Sequence, residues 1–217
     1  MKKKSINKKI HFFYKLSKRL LDFLFSLLFL IAFLPFFIII SLLIKLSSRG
    51  PIFFFQERIG RNNIPFKCIK FRTMHPEAKD MLENLLIKNE KLRMEFDKTH
   101  KIKNDPRITS IGKLLRKTSL DELPQFVNVL KNEMSIIGPR PIVNKEKKKY
   151  GKHLKKVLSV KPGITGLWQV SGRNNLTYKR RIKLDLNYVE NYNLFMDIRI
   201  LIRTIGVVLF PLDRGAY

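Results

Sequence analysis

Phe23-Leu24-Phe25-Ser26-Leu27-Leu28-Phe29-Leu30-Ile31-Ala32-Phe33-Leu34-Pro35-Phe36-Phe37-Ile38-Ile39-Ile40-Ser41-Leu42-Leu43-Ile44 is a run of 22 residues in which only Ser26, Pro35 and Ser41 are not apolar. At about 1.5 Å of rise per residue it matches a hydrocarbon core of about 30 Å, so it reads as a membrane segment. A cleaved signal peptide does not fit: the run is too long, and Lys45-Leu46-Ser47-Ser48-Arg49 behind it offers no small-residue cleavage pattern. Pro35 is a natural bend point, because proline inside a helix costs about 3 kcal/mol. The residues from Pro35 to Ile44 reach only about 15 Å, half the core.

The flanking charge bears on topology. Residues 1–21 carry eight Lys or Arg and no acid, while residues 47–217 carry 35 Lys or Arg against 16 Asp or Glu. Basic flanks prefer the cytoplasmic face, and here both flanks are basic. A helix that enters, bends at Pro35 and returns satisfies both ends; a straight span satisfies one. The balance favours re-entrance, with spanning left open on these grounds. Asp22, beside Lys18 and Arg19, reads as an interfacial ion pair.

Residues 47–217 are expected to form one compact α/β (α+β) domain, after a basic N-terminus and membrane helix over residues 1–46. No Gly/Ser-rich linker or repeat divides the domain. Ile52 to Glu57 and Phe66 to Phe71 are aromatic and β-branched runs separated by Gly60-Arg61-Asn62-Asn63, the pattern of a β-hairpin close to the membrane exit. Met81, Leu85, Leu92 and Phe96 recur at helical spacing, predicting an amphipathic helix from Glu77 to about Lys98. A short basic helix is expected over Ile111 to Arg116, and a longer one over Tyr178 to Tyr192. Leu194 to Phe210 is apolar but interrupted by Asp197, Arg199 and Arg203, which suits an interfacial helix.

Chemistry concentrates at Thr118-Ser119-Leu120-Asp121-Glu122-Leu123-Pro124-Gln125-Phe126. In a chain of net charge +27, two adjacent acids near Arg116, Lys117 and a Pro139-Arg140-Pro141 clamp suit a phosphate-bearing substrate. A plainer reading competes: Ser119 and Glu122 match a capping box at a helix start. Pro124 would interrupt that helix, which leaves open a second register in which the helix starts at Pro124. Either register sets Asp121 and Glu122 at a helix mouth, where the dipole keeps a carboxylate ionised and able to act as a nucleophile. Lys161 to Asn174, with Gly163, Gly166, Gly172 and Arg173, is a turn-rich segment suited to a phosphate or a base, though not a Walker loop.

Other chemistries are excluded cheaply. His11, His75, His100 and His153 lack metal-ligand spacing, and the single Cys68 rules out an internal disulfide. No nucleophile elbow and no nucleic-acid-binding signature accompany the charge, so no nucleic acid is expected. Anionic phospholipid accounts for it instead, at about 1 kcal/mol per basic side chain near the surface.

Six ordered motifs resemble the bacterial sugar transferases, or monotopic phosphoglycosyl transferases. They are Gly50 to Gly60, Lys70-Phe71-Arg72-Thr73-Met74, Asp105-Pro106-Arg107-Ile108-Thr109, Ser119 to Gln125, Met134 to Pro141, and Pro162 to Arg173. The resemblance runs from about Tyr14 to Tyr217. It implies a monotopic membrane protein with a re-entrant helix broken at Pro35, a hairpin and interfacial helices, with its catalytic domain on the cytoplasmic face of the bacterial inner membrane. Members often break the helix at Ser-Pro; here Leu34 precedes the proline. Larger relatives add an N-terminal multi-span domain, and this chain is expected to hold only the catalytic unit.

The resemblance further implies transfer of a sugar-1-phosphate from a UDP-sugar to undecaprenyl phosphate, releasing UMP, in exopolysaccharide, capsule or lipopolysaccharide assembly. Asp121 would be the nucleophile of a ping-pong reaction through a phosphosugar-aspartyl intermediate, and would contact Mg²⁺. Glu122 would orient the pair, help hold Mg²⁺ or assist deprotonation. Arg116, Arg140 and Arg173 match family arginines and would bind phosphate, with Arg72 and Lys70 as further candidates. The form of Gly166 to Arg173 and the terminal Arg214-Gly215-Ala216-Tyr217 resemble hexose-phosphate members, galactose first and glucose next, with an N-acetylated sugar still open. The competing class is a non-catalytic, basic membrane-surface module. Oligomeric state is not readable, and a homo-oligomer stays open.

Overall fold

The computed structural model describes residues 2–99, 102, 104–172 and 175–209. Helix α1 (Lys2–Ala32) and helix α2 (Leu34–Ser47) meet at Phe33 with a bend of 62°. Pro35 lies in the first turn of α2, where an amide donor has no intrahelical partner to lose. The chain therefore breaks just before the proline instead of kinking through it. Ser41 Oγ donates to Phe37 O at 2.7 Å, one turn inside α2, and Ser26 Oγ is buried without a partner, so neither hydroxyl bridges the break. Among the described residues no single helix is long and apolar enough to cross a membrane, whereas this bent pair passes together by length and composition. Leu28, Ile31, Leu34 and Leu42 remain exposed along it, an apolar surface of the kind that marks membrane or protein contact.

Strand β1 (Phe53–Ile59) pairs antiparallel with strand β2 (Pro65–Phe71), Gln56 facing Cys68 and Phe54 facing Lys70. Asn62 and Asn63 make the connection at φ 57° and 66°, left-handed values that asparagine tolerates. This is the expected hairpin. The helix expected over Glu77 to Lys98 is instead two, α3 (Ala78–Lys88) and α4 (Glu90–Thr99). Asn89 is extended between them, and its Oδ1 accepts from Leu92 N at 3.1 Å, so it restarts the second helix.

Helix α5 (Ser110–Thr118) starts at Thr109, whose Oγ1 accepts from Gly112 N at 2.9 Å. A single 3₁₀ turn (Leu120–Glu122) joins it to α6 (Gln125–Leu130). Strands β3 (Ser135–Ile137) and β4 (Gly163–Thr165) form a two-stranded parallel pair. Between them lie the one-turn helices α7 (Lys147–Tyr150) and α8 (Leu154–Val157). Helices α9 (Tyr178–Asn191) and α10 (Leu194–Leu209) close the described chain. Two glycines of the turn-rich segment serve backbone contact: a Cβ on Gly163 would lie 2.1 Å from Gly138 N, and one on Gly166 2.2 Å from Gly138 O.

Packing holds the Leu120–Glu122 turn from both sides. Ile40 and Ile44 of α2 bury against Phe71 and Leu115, which fixes α5 to the second arm of the bend. Phe29 of α1 stacks on Phe126 of α6 with ring centroids 4.2 Å apart, fixing the other flank to the first arm. Such a pair adds about 0.5–1.5 kcal/mol beyond area burial. The bend at Phe33 thus opens the helices wide enough to grip α5 with one arm and α6 with the other.

The expected ion pair of Asp22 with Lys18 or Arg19 does not form. Asp22 accepts from Ser135 Oγ (2.7 Å) and Ile136 N (3.3 Å), Lys18 pairs with Asp197 (2.6 Å), and Arg19 donates to the Val129 and Leu130 carbonyls (2.7 and 3.1 Å). Helical neighbours in sequence face different elements here. Each side chain reaches the element packed on its own face.

Candidate active site

The capping box expected from Ser119 and Glu122 is absent. Helix α5 runs on to Thr118, so Ser119 is the residue that leaves it, at φ 61°, and its side chain makes no cap bond. Of the two registers read from sequence, the helix beginning after Pro124 is the one observed. Glu122 is released from capping for a different partnership. Its Oε1 accepts from Lys70 Nζ at 2.6 Å and Arg140 Nη2 at 3.3 Å.

Asp121 stands beside that triad. Its side chain is 14% exposed, with Lys70 Nζ 3.9 Å from Oδ2, and no described group donates a hydrogen bond to it. Burial pushes its carboxyl above the ordinary aspartate range; Lys70 pulls it back, Glu122 pushes it further up, and Arg116 and Arg140 pull it down. For Glu122, burial is outweighed by Lys70 and Arg140, and its carboxyl is held well below the usual range. The two acids are thereby split: Glu122 is locked as the anion that gathers the cations, and Asp121 is left uncommitted.

β2 delivers Lys70 to this point, and Asn128 sets its height. Asn128 is fully buried on α6, accepts from Ile69 N at 3.0 Å and donates to Lys67 O at 2.8 Å, so α6 is stitched to β2 as an added strand would be. Arg116 Nε donates to Thr73 Oγ1 at 2.9 Å. Arg72 is turned elsewhere: its guanidinium donates to Ser48 O (2.7 Å), Ser48 Oγ (3.0 Å) and Arg49 O (3.0 Å), tying down the chain at the carbonyl end of α2. Those hydrogen bonds cap α2, while Arg72 also lines the cavity around Asp121 and its buried Nε has no hydrogen-bond partner among the described residues. Arg173 lies outside the described residues, as do Arg214 to Tyr217.

A cavity of about 1200 Å³ joins these parts, lined by Lys70, Thr73, Arg116, Asp121, Glu122 and Arg140 on its polar side. Sequence reasoning overlooked Arg58, which lines the same cavity. It donates to Gln56 Oε1 through Nε (3.1 Å) and Nη2 (2.6 Å) and to Pro141 O through Nη1 (3.0 Å), bracing the Pro139 to Pro141 clamp. The available signal was strand period: Gln56 and Arg58 are two apart and so share a face. Asp105 and Arg107, by contrast, satisfy each other at 2.8 and 2.6 Å beneath the start of α5.

Among the described residues no group of three or more His, Cys, Asp or Glu could hold a metal ion by itself. Mg²⁺ does not demand one, since it keeps several waters and is commonly bound by one or two carboxylates together with substrate phosphates. Asp121 and the second oxygen of Glu122, neither of which accepts a hydrogen bond, fit that donor set. What the cavity offers is a buried, uncommitted carboxylate ringed by cations, the arrangement needed for nucleophilic attack on an anionic phosphorus centre.

The model for the family described as bacterial sugar transferase matches residues 13–211. The chain belongs to that family. Among its relatives, the exopolysaccharide production protein ExoY of Rhizobium meliloti (strain 1021) is 44% identical over 202 residues, covering 93% of this chain and 88% of that protein. The undecaprenyl-phosphate galactose phosphotransferase of Salmonella typhimurium is 46% identical over 193 residues, covering 88% of this chain but 40% of that one. The UDP-glucose:undecaprenyl-phosphate glucose-1-phosphate transferase of Escherichia coli (strain K12) is 38% identical over 201 residues, with coverage of 88% and 40%. Relatives of this sugar transferase thus carry both galactose and glucose in their names.

Proposed function

We propose that this sugar transferase moves a hexose-1-phosphate from a UDP-hexose to undecaprenyl phosphate and releases UMP, opening the assembly of an exopolysaccharide, capsule or related glycan. One observation carries the reading: Asp121 is buried, accepts no hydrogen bond and lies in a cavity beside Glu122, Lys70, Arg116 and Arg140. The names of the relatives supply the substrate class.

In the first half-reaction an Asp121 oxygen attacks the phosphorus that bears the sugar. The bond from that phosphorus to the bridging oxygen breaks, its electron pair leaves with UMP, and a phosphosugar-aspartyl ester remains. In the second, an oxygen of undecaprenyl phosphate attacks the same phosphorus and the P–O bond to Asp121 breaks, restoring the carboxylate. The sugar–oxygen bond is never touched, so anomeric configuration is retained. Lys70 and Arg140, anchored on Glu122, and Arg116, anchored on Thr73, counter the charge of the approaching phosphates. Asp121 and Glu122 would hold Mg²⁺, which would supply further charge neutralisation. The bent α1–α2 pair acts as a re-entrant anchor, placing the cavity at the headgroup level of the cytoplasmic face where a lipid phosphate lies, among anionic phospholipids.

The test is a half-reaction. Purified protein incubated with radiolabelled UDP-galactose or UDP-glucose, without lipid acceptor, should release close to one UMP per active site and retain label that mass spectrometry places on Asp121. No UMP release and no adduct with any UDP-sugar in a panel would sink the assignment. The same panel, read as label transferred into the lipid phase, identifies the sugar.

A further inference from the structure

The motif Lys70-Phe71-Arg72-Thr73-Met74 sends its members to different places. Lys70 reaches Glu122, Arg72 reaches the end of α2, and Thr73 reaches Arg116. Thr73 is 8% exposed, lines the cavity that holds Asp121, and belongs to a segment fixed from both sides. Thr73 O accepts from Thr109 N at 3.1 Å, just before α5, and Arg72 N donates to Ile52 O at 2.8 Å. Gly112 permits this closeness, since a Cβ there would lie 2.0 Å from Thr73 O. The backbone of Thr73 is therefore clamped against the helix that carries Arg116. Its hydroxyl lies 2.9 Å from Arg116 Nε.

The hydrogen-bond count at that hydroxyl is informative. A threonine oxygen can accept and also has one proton to donate. Here it accepts Arg116 Nε–H, and the terminal nitrogens of that guanidinium have no hydrogen-bond partner among the described residues. No described group takes the Thr73 proton. A buried hydroxyl with a spare donor, beside an arginine in the cavity that holds Asp121, is half of an anion site.

We propose that Thr73 is a phosphate-site residue of this transferase: its oxygen orients Arg116 and its proton is donated to the same substrate phosphate oxygen set that Arg116 binds. The inference rests on the proposed reaction, because it takes Arg116 to be a phosphate ligand. It gives a binding role to the neutral neighbour of Arg72 in the motif. Threonine rather than valine is required at a position whose burial alone would suit either.

The experiment is a double-mutant cycle on full-length protein in detergent or nanodiscs, using UDP-galactose and UDP-glucose as donors and undecaprenyl phosphate as acceptor. Thr73→Val keeps the shape and removes the hydroxyl; it should lower kcat/KM for the UDP-hexose by about 10- to 100-fold, as expected for lost hydrogen bonds to charged groups, with an unchanged melting temperature. Thr73→Ser keeps the hydroxyl and should stay within about threefold of the parent, which a purely steric role would not require. In an Arg116→Ala background, Thr73→Val should cost much less than in the parent, since its partner is gone. Weakened binding of UDP-hexose to Thr73→Val in an Asp121→Asn background, where no turnover occurs, gives a second readout.

Full activity of Thr73→Val while Arg116→Ala is inactive would overturn this inference and leave the proposed reaction standing. Equal cost of Thr73→Val in both backgrounds would overturn the link to Arg116. A parent protein that releases no UMP from any UDP-sugar is the distinct result that would remove the reaction itself.

Discussion

Two groups of buried carboxylates in this protein look alike in sequence and are handled in opposite ways. Asp22 and Asp197 sit where α1, β3 and α10 meet, and each is saturated with donors. Asp197 takes Tyr14 Oη (2.5 Å), Lys18 Nζ (2.6 Å) and Tyr188 Oη (2.8 Å), while Asp22 takes Ser135 Oγ and Ile136 N. Asp121, in the cavity, takes none. Burial alone therefore does not mark a reactive acid. What distinguishes Asp121 is that the neighbouring cations are spent on Glu122, 2.6 Å from Lys70, and act on Asp121 only through the field. One group fastens α1 to the domain; the other keeps an oxygen in reserve.

The comparison breaks most sharply at Asp121→Asn. Loss of the nucleophile should reduce UMP release by about 10³-fold or more and abolish the covalent adduct. Stability should hold or rise, because burial pushes the Asp121 carboxyl up in the folded state, and removing a charge that burial disfavours removes a destabilising element at neutral pH. A melting temperature well below the parent's would show that Asp121 is a tie like Asp197. The reverse pattern is expected for Asp197→Asn: about 2–4 kcal/mol of stability lost, from a carboxylate with three partners, while adduct formation per folded molecule stays normal. Chemical denaturation and adduct yield, measured on the same preparations, check both. Glu122→Gln falls between, with about 10²-fold loss expected from displaced Lys70 and Arg140.

The legible part of the molecule is the part that local patterns can report. The family, the hairpin, α5, α9, α10 and the interruption near Pro35 are local or motif signals, and the structure carries each of those elements. The capping box failed because S-x-x-E is blind to the preceding helix: Thr109 starts α5 early enough that Ser119 falls at its end. The positions of the cations were illegible for a related reason. Lys70 looks like a surface lysine on an alternating strand, and long-range contacts bring it over Glu122: Asn128, 59 residues from Ile69, and the packing of Phe66 and Cys68 on Val129. Arg72, two residues on, would share the face of Lys70 if the strand continued, but β2 ends at Phe71 and the guanidinium turns to the end of α2. Strands β3 and β4, three residues each, are too short to show a period at all.

The smallest effect expected is also the most specific, and it lies in the pH profile of Lys70→Met. Asp121 must be ionised to attack, so kcat/KM falls as pH drops through its titration. In the parent that acid limb should lie above the ordinary aspartate range, because burial is the largest influence on the carboxyl. Lys70 is the strongest of the cations opposing it, so its removal should move the limb further toward neutral. Glu122 loses a partner at the same time and rises as well, so the limb reports the pair and not one group. Above the limb, where both acids are ionised, only a modest loss from weaker phosphate attraction should remain. Asp197→Asn serves as the control, since its carboxylate is committed to Tyr14, Lys18 and Tyr188 and exchanges nothing with the cavity pair. An acid limb that stays in place in Lys70→Met, or shifts equally in both variants, would show that Asp121 is governed by the whole basic surface and not by the side chain 3.9 Å away.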